Sequence, residues 1–165
     1  MKSTTILSNN QINHIIRRIS YQILEVNNDK KEIILAGITG NGFLFAKKIK
    51  TSLNNISSID ITLCEVKIDK QNPLNQITTS IDSKEYKNKS LVLVDDVLNS
   101  GTTLIYSIKH FLEVPLKQFK TAVLVNRNHK KYPVKADFKG ISLSTMIEDN
   151  ITVEFKGKTA IAYLD

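Results

Sequence analysis

The isoleucines at 12, 15, 16, 19 and 23 recur at the period of one helical face and predict an amphipathic helix over 9–26, with Ser8 or Asn9 as its cap. A polar turn at 27–30 ends that pattern. Residues 33–37 are a short apolar run, read as a strand, and Phe43, Leu44, Ala46, Ile49 and Leu53 then return to helical spacing. The stretch 59–66 alternates loosely, as a further strand would. Leu91, Val92, Leu93 and Val94 are apolar without alternation, the mark of a strand covered on both faces, with Asp95 and Asp96 at its carboxyl end. A turn through Gly101 leads into a segment whose apolar positions are Leu104, Ile105, Ile108, Phe111 and Leu112. Pro115 marks the next turn, 121–125 repeat the buried-strand pattern, and a polar loop occupies 126–133. The runs 151–155 and 159–163, separated by Lys156 and Gly157, predict a hairpin at the sheet edge.

Strands alternating with helices predict an α/β fold: a mostly parallel, twisted sheet flanked by helices, with ligands bound at the carboxyl ends of the strands. Only 68–89 breaks the pattern, with Asp69, Lys70, Gln71, Asn72 and Pro73 followed by scattered Ile77, Ile81 and Tyr86. An irregular segment of that length in a compact domain is a functional lid or a protruding hairpin. The 165 residues are 41% hydrophobic, enough for one domain, 1–165, with a real core and no second domain. The single cysteine, Cys64, excludes an internal disulfide framework and a multi-cysteine zinc site. No apolar run reaches the ~20 residues that span a bilayer, and the amino terminus lacks a signal-peptide pattern, so the reading is cytoplasmic, without a membrane. The net charge of +7 suits polyanionic ligands and equally fits a composition rich in lysine, asparagine and isoleucine.

Two strand-to-helix turns carry candidate chemistry. In the first, Thr39, Gly40, Asn41 and Gly42 form a small anion cradle ahead of a helix. In the second, the backbone N–H groups of Ser100, Gly101, Thr102 and Thr103 open a helix and suit a phosphate monoester, with three hydroxyls as further donors. Asp95 and Asp96, just upstream, suit neutral vicinal hydroxyls or a hydrated Mg²⁺ held partly by a polyphosphate. Sugar hydroxyls beside a sugar phosphate describe a phosphorylated ribose. An ordinary strand-turn-helix would use the two aspartates as turn and capping residues; the apolar run, acidic pair, Ser-Gly-Thr-Thr and helix in order favour the phosphate reading. Neither the P-loop nor the dinucleotide fingerprint is present. On the first helix His14, Arg17, Arg18 and Tyr21 share a face, which reads as solvated surface or, alternatively, as an RNA contact.

The run Val92 to Thr103 (VLVDDVLNSGTT) resembles the phosphoribosyl-pyrophosphate (PRPP) signature of the type I phosphoribosyltransferases. The resemblance implies their fold, with a flexible hood at about 68–89. It implies that Asp95 and Asp96 hold the ribose and, mostly through PRPP, Mg²⁺, while Val97, Leu98, Asn99, Ser100, Gly101, Thr102 and Thr103 bind the 5′-phosphate side. The loop Thr39, Gly40, Asn41 and Gly42 would take pyrophosphate, with any cation supplied from elsewhere, and Arg127 is the candidate for a positive contact near base or pyrophosphate, with His129 behind it. The run AVLVNRNH and PVKADF extend the likeness to the bifunctional pyrimidine operon attenuator and uracil phosphoribosyltransferase family. The family's loop arginine and the glycine before its histidine are replaced here by Asn41 and Asn128. Asn99 and Asn126 stand where 6-oxopurine enzymes have an aspartate and a lysine, which favours uracil over a purine. The implied function is transfer of ribose 5-phosphate from PRPP to a nucleobase by a homodimer or higher homo-oligomer. Alternatives are an attenuator binding an mRNA leader through Arg17 and Arg18 with little catalysis, and a purine enzyme.

Overall fold

The computed structural model describes residues 3–165; positions 1 and 2 of the expected domain lie outside the described residues. The chain runs β1 (Thr4–Leu7), α1 (Asn9–Val26), β2 (Glu32–Ile38), α2 (Asn41–Ile56), β3 (Asp60–Lys67), β4 (Thr78–Thr79), α3 (Ser83–Tyr86), β5 (Ser90–Leu98), α4 (Thr102–Phe111), β6 (Gln118–Arg127), β7 (Phe138–Leu143), β8 (Ile151–Lys156) and β9 (Thr159–Leu164). Six strands make the main sheet in the order β4-β3-β2-β5-β6-β7, all pairs parallel except β3 with β4. This is the mostly parallel sheet flanked by helices that the alternating pattern predicts.

Each face of the sheet buries its own apolar cluster. On one, the isoleucine stripe of α1 and Phe45, Ala46, Ile49 and Leu53 of α2 pack on Ile33, Leu35, Val92 and Val94. On the other, Leu104 and Phe111 of α4 and Tyr86 of α3 pack on Ile34, Ala36, Leu91 and Leu93. α1 starts where a reciprocal cap forms: Ser8 accepts from the Gln11 N–H while Gln11 accepts from the Ser8 N–H. Gly37 has no room for a side chain, because a Cβ there would lie 2.7 Å from Phe43 Cα and 2.9 Å from Ala46 Cβ. That contact seats the first turn of α2 against β2.

Four features depart from the pattern reading. The β8–β9 hairpin is not at the edge of the main sheet; with β1 it forms a separate antiparallel sheet, order β1-β9-β8, over the α1/α2 side. β7 occupies the edge instead. β5 does not end at Val94 but runs to Leu98, so Asp95 and Asp96 lie inside the strand. Its side-chain alternation slips there: Val92, Val94 and Val97 meet the α1/α2 cluster, Leu91, Leu93 and Leu98 the other. Finally, 68–89 holds the short strand β4 and the capped turn α3, whose Tyr86 is buried. The longest stretch of that segment without helix or strand, 68–77, is irregular.

Candidate active site

The carboxyl ends of β2, β3, β5 and β6 bring the two turns together. At the first, the Thr39 N–H donates to the Val66 carbonyl at 2.8 Å and its hydroxyl to Glu65 Oε1 at 2.7 Å, so Thr39 is fully engaged within the protein. The Asn41 side chain donates to the Val153 carbonyl at 2.7 Å, pinning the start of α2 to β8. What the turn offers a ligand is therefore backbone: the N–H groups of Asn41, Gly42 and Phe43 precede the first intrahelical bond, from Leu44 to Gly40, and no acidic residue occupies that turn. Gly40 has φ +87, a conformation that L side chains rarely adopt. Gly42 faces the acidic pair so closely that a Cβ would lie 2.8 Å from Asp95 Oδ1.

Asp95 is 3% exposed and Asp96 is half-buried. Asp95 Oδ1 accepts from the Asp96 N–H at 2.9 Å. Burial first, and then the neighbouring Asp96 carboxylate, push the Asp95 carboxyl well above the usual carboxylate range; the Lys70 ammonium pulls it partly back. A carboxyl with raised proton affinity is a strong acceptor for a hydroxyl donor. Lys70 was absent from the sequence-based site, since a lysine in a polar run carries no signal until the fold brings its charge near enough to act on Asp95. It follows Asp69, whose carboxylate accepts from the N–H groups of Gln71 and Asn72 and from the Asn75 amide, giving this part of the segment a built turn.

At the second turn, Gly101 is left-handed, with φ +85, and caps α4. Ser100 and Thr102 share a hydroxyl hydrogen bond of 2.8 Å, and Thr102 N–H donates to Ser100 Oγ at 3.3 Å. The Ser100 carbonyl accepts from the N–H groups of Lys131 and Tyr132, so the 128–133 loop braces the turn from behind. A cavity of about 40 Å³ opens here, lined by Asp95, Val97, Leu98, Asn99, Ser100, Gly101, Thr102 and Thr103. It has the scale of a phosphate group. Leu98 is itself buried in the core, leaving its backbone to the cavity.

Arg127 is placed differently from the loop cation expected. It ends β6, is 3% exposed, and donates to Asn99 Oδ1 at 2.7 Å, Thr145 Oγ1 at 3.0 Å and the Met146 carbonyl at 2.9 Å. Its neighbours act in the same direction: Asn126 donates to Ser142 Oγ, Asn128 to Ser144 Oγ, and His129 Nε2 to the Thr145 carbonyl. Residues 126–129 are thus zipped to 142–146. The arginines of α1 also divide. Arg18 donates to the Lys139 and Gly140 carbonyls of β7 at 3.1 and 2.7 Å, whereas Arg17 lies over the Tyr21 ring and lines a groove of about 580 Å³ with Asn13, Lys48, Thr51, Ser52 and Asn55.

Among the described residues no cluster of three or more His, Cys, Asp or Glu side chains is formed. Two adjacent carboxylates fit a hard cation that keeps most of its water and arrives with a polyphosphate, the habit of Mg²⁺.

The sequence profile of the phosphoribosyl transferase domain matches residues 2–157. The bifunctional protein PyrR of Streptococcus thermophilus (strain CNRZ 1066) is 30% identical over 171 aligned residues, covering 100% of this chain and 99% of its own length. That of Streptococcus sanguinis (strain SK36) is 31% identical over 157, covering 93% and 91%. Among solved structures, a Bacillus anthracis hypoxanthine-guanine phosphoribosyltransferase superposes with a TM-score of 0.78 at 17% identity, covering 97% of this chain and 96% of that one. A Trypanosoma cruzi hypoxanthine phosphoribosyltransferase gives 0.78 at 13%, covering 96% and 95%. These structural likenesses concern the fold.

Proposed function

The chain belongs to the phosphoribosyl transferase domain family, in its PyrR-like branch, and on that premise we propose that it transfers the ribose 5-phosphate of PRPP to uracil, forming UMP and releasing pyrophosphate. The observation that carries the reading is the meeting of two helix amino termini, at Asn41–Ile56 and Thr102–Phe111, on either side of the acidic pair of buried Asp95 and half-buried Asp96. One anion cradle suits the 5′-phosphate and the other the leaving pyrophosphate, with the ribose between them. The backbone amides of Ser100, Gly101, Thr102 and Thr103 anchor the phosphate, and those of Asn41 and Gly42, beyond Thr39 and Gly40, take pyrophosphate. Asp95 and Asp96 accept from the ribose hydroxyls and orient C1.

The C1–O bond to pyrophosphate breaks as the bond from C1 to a ring nitrogen forms, and the proton of that nitrogen passes to the departing pyrophosphate. Asp95 and Asp96 would hold Mg²⁺ brought with PRPP, which would supply positive charge to offset that of the leaving group. Rate comes mainly from positioning and from charge set in place in advance. The irregular 68–77 stretch, inside the hood assigned to about 68–89, closes over PRPP with Lys70 and excludes water from the ribosyl centre. Uracil rests on the PyrR relatives and on Asn99 and Asn126, neither of which is a purine-type acid or cation.

A second, regulatory reading is favoured by the groove of Arg17 and Lys48: an mRNA leader would contact Arg17 and Tyr21 rather than Arg18. The working unit is a homodimer or higher homo-oligomer in the cytoplasm, supported by the exposure of Tyr21 and Leu44 on the outer helices and checked by light scattering. Among the described residues no helix is long and apolar enough to cross a membrane.

Pyrophosphate release from PRPP and Mg²⁺ with uracil, then with hypoxanthine, guanine, xanthine and orotate, tests the assignment. Release with uracil alone is expected. Release with a purine alone would overturn the base assignment, and silence with every base in a protein that binds PRPP would transfer the function to the regulatory reading.

A further inference from the structure

The turn at 39–42 offers a ligand backbone N–H groups and no charge. Thr39, Gly40, Asn41 and Gly42 are all neutral, and the Asn41 amide is spent on the Val153 carbonyl. The lysines of the helix that follows are engaged elsewhere: Lys47 lies over the Phe43 ring, 4.6 Å from its centroid, and Lys48 donates to the Gly157 carbonyl.

What the fold sets against this turn is a negative charge. Glu65 lies at the carboxyl end of β3, in register with Gly37 of β2. Its backbone is fixed by Ser80, whose hydroxyl accepts from the Glu65 N–H at 2.8 Å and whose N–H donates to the Glu65 carbonyl at 3.0 Å. The half-buried side chain reaches the first residue of the turn, Oε1 accepting from the Thr39 hydroxyl at 2.7 Å. Thr39 is held in turn by its own N–H on the Val66 carbonyl, so neither partner is free to swing away. The Glu65 carboxylate makes no ion pair among the described residues, and its second oxygen, Oε2, has no hydrogen-bond partner there and is not buried. A fixed carboxylate without a counter-charge, one hydrogen bond from an anion cradle, opposes a ligand in proportion to the negative charge that ligand carries.

We propose that Glu65 is a specificity-determining residue that screens the charge of the diphosphate admitted to the 39–42 turn: it rejects a bare pyrophosphate group and tolerates one whose charge a divalent cation has offset. The inference rests on the phosphoribosyl reading of the site and deepens it. The acidic pair suits a cation that arrives with its ligand, and Glu65 penalises a ligand that arrives without one. Glu65 takes no part in breaking the C1–O bond; it decides which form of the diphosphate is bound.

Calorimetric titration of inorganic pyrophosphate, once with Mg²⁺ and once with a chelator, against the wild-type chain, Glu65→Gln and Glu65→Ala reads the screen directly. Glutamine keeps an oxygen to accept from Thr39 and loses the charge; alanine loses both. Wild-type affinity is expected to fall tenfold or more when Mg²⁺ is removed. Both variants should bind metal-free pyrophosphate about tenfold more tightly than wild type, so that their dependence on Mg²⁺ shrinks. Ribose 5-phosphate, placed at the other turn, should bind all three chains alike. Unchanged melting temperatures establish that the variants fold. Metal-free pyrophosphate affinity within twofold of wild type in both variants overturns the proposal, as does an equal gain for ribose 5-phosphate, which would report only the altered net charge. A wild-type chain that binds ribose 5-phosphate but never pyrophosphate would overturn the cradle at 39–42 and this inference alone. Failure to bind ribose 5-phosphate at all would overturn the phosphoribosyl reading itself.

Discussion

Asp95 is held where an ionised carboxylate is least welcome, buried against a second carboxylate. Its folded-state proton affinity lies above that of the unfolded chain. Between the unfolded and folded values the native state thus holds more protons, and the stability owed to this group falls as pH rises through that window. Asp95→Asn removes the penalty while keeping an oxygen to accept the Asp96 N–H. Its melting temperature should exceed wild type at neutral pH, converge toward it in acid, and be accompanied by a loss of turnover on the order of 10²–10³. A variant less stable than wild type at neutral pH would contradict the raised proton affinity. At this scale the acidic pair and the Ser-Gly-Thr-Thr turn were legible, because backbone amides and short polar side chains act where the chain places them. Arg127 and Arg18 were not: a long side chain reveals its type in sequence but not its acceptors, and both reach across the fold to carbonyls supplied by other segments.

Helices and central strands were legible from period alone, since the isoleucine stripe of α1 and the apolar runs of β2, β5 and β6 each demand one kind of burial. β7 was not, because Lys139 and Gly140 interrupt its apolar positions and its pairing partner makes it a strand. Gly140 is required there, as a Cβ would run into the Leu124 carbonyl. β7 is an edge strand, and Arg18 donates to two of its carbonyls, those of Lys139 and Gly140. Arg18→Ala should cost about 1 kcal/mol in urea unfolding, discounted for exposure, whereas Arg17→Ala should leave stability unchanged. If an RNA partner exists, Arg17→Ala should weaken its binding and flatten the salt dependence without that loss of stability.

For the molecule as a whole, the layered α/β plan was readable, and the division into two sheets was not. Alternation reports that a strand has a buried face but not which sheet it joins, so the β8–β9 hairpin looked like an edge of the main sheet. The 68–89 segment was readable only as a break in pattern; its turn at Asp69 and the placement of Lys70 needed the fold. Closure over ligand makes a direct prediction: saturating PRPP with Mg²⁺ should slow proteolytic cleavage within 68–77 by tenfold or more, and ribose 5-phosphate, lacking the pyrophosphate that Lys70 would meet, should protect less. Equal protection by both would remove Lys70 from the closing contact.

The small sheet has a consequence for biosynthesis. β1 is among the first structured segments to leave the ribosome, and its partner β9 is the last, with Thr4 paired to Leu164. β8 reaches α2 through Val153 and Asn41, so the glycine turn at 39–42 also waits on late-made chain. The parallel sheet can assemble around β2, β5 and β6 during translation, but β1 must stay unpaired until β9 has been made. This long-range contact therefore forms only after every other described strand has been made, a latch that ties the start of α2 to the hairpin β8–β9.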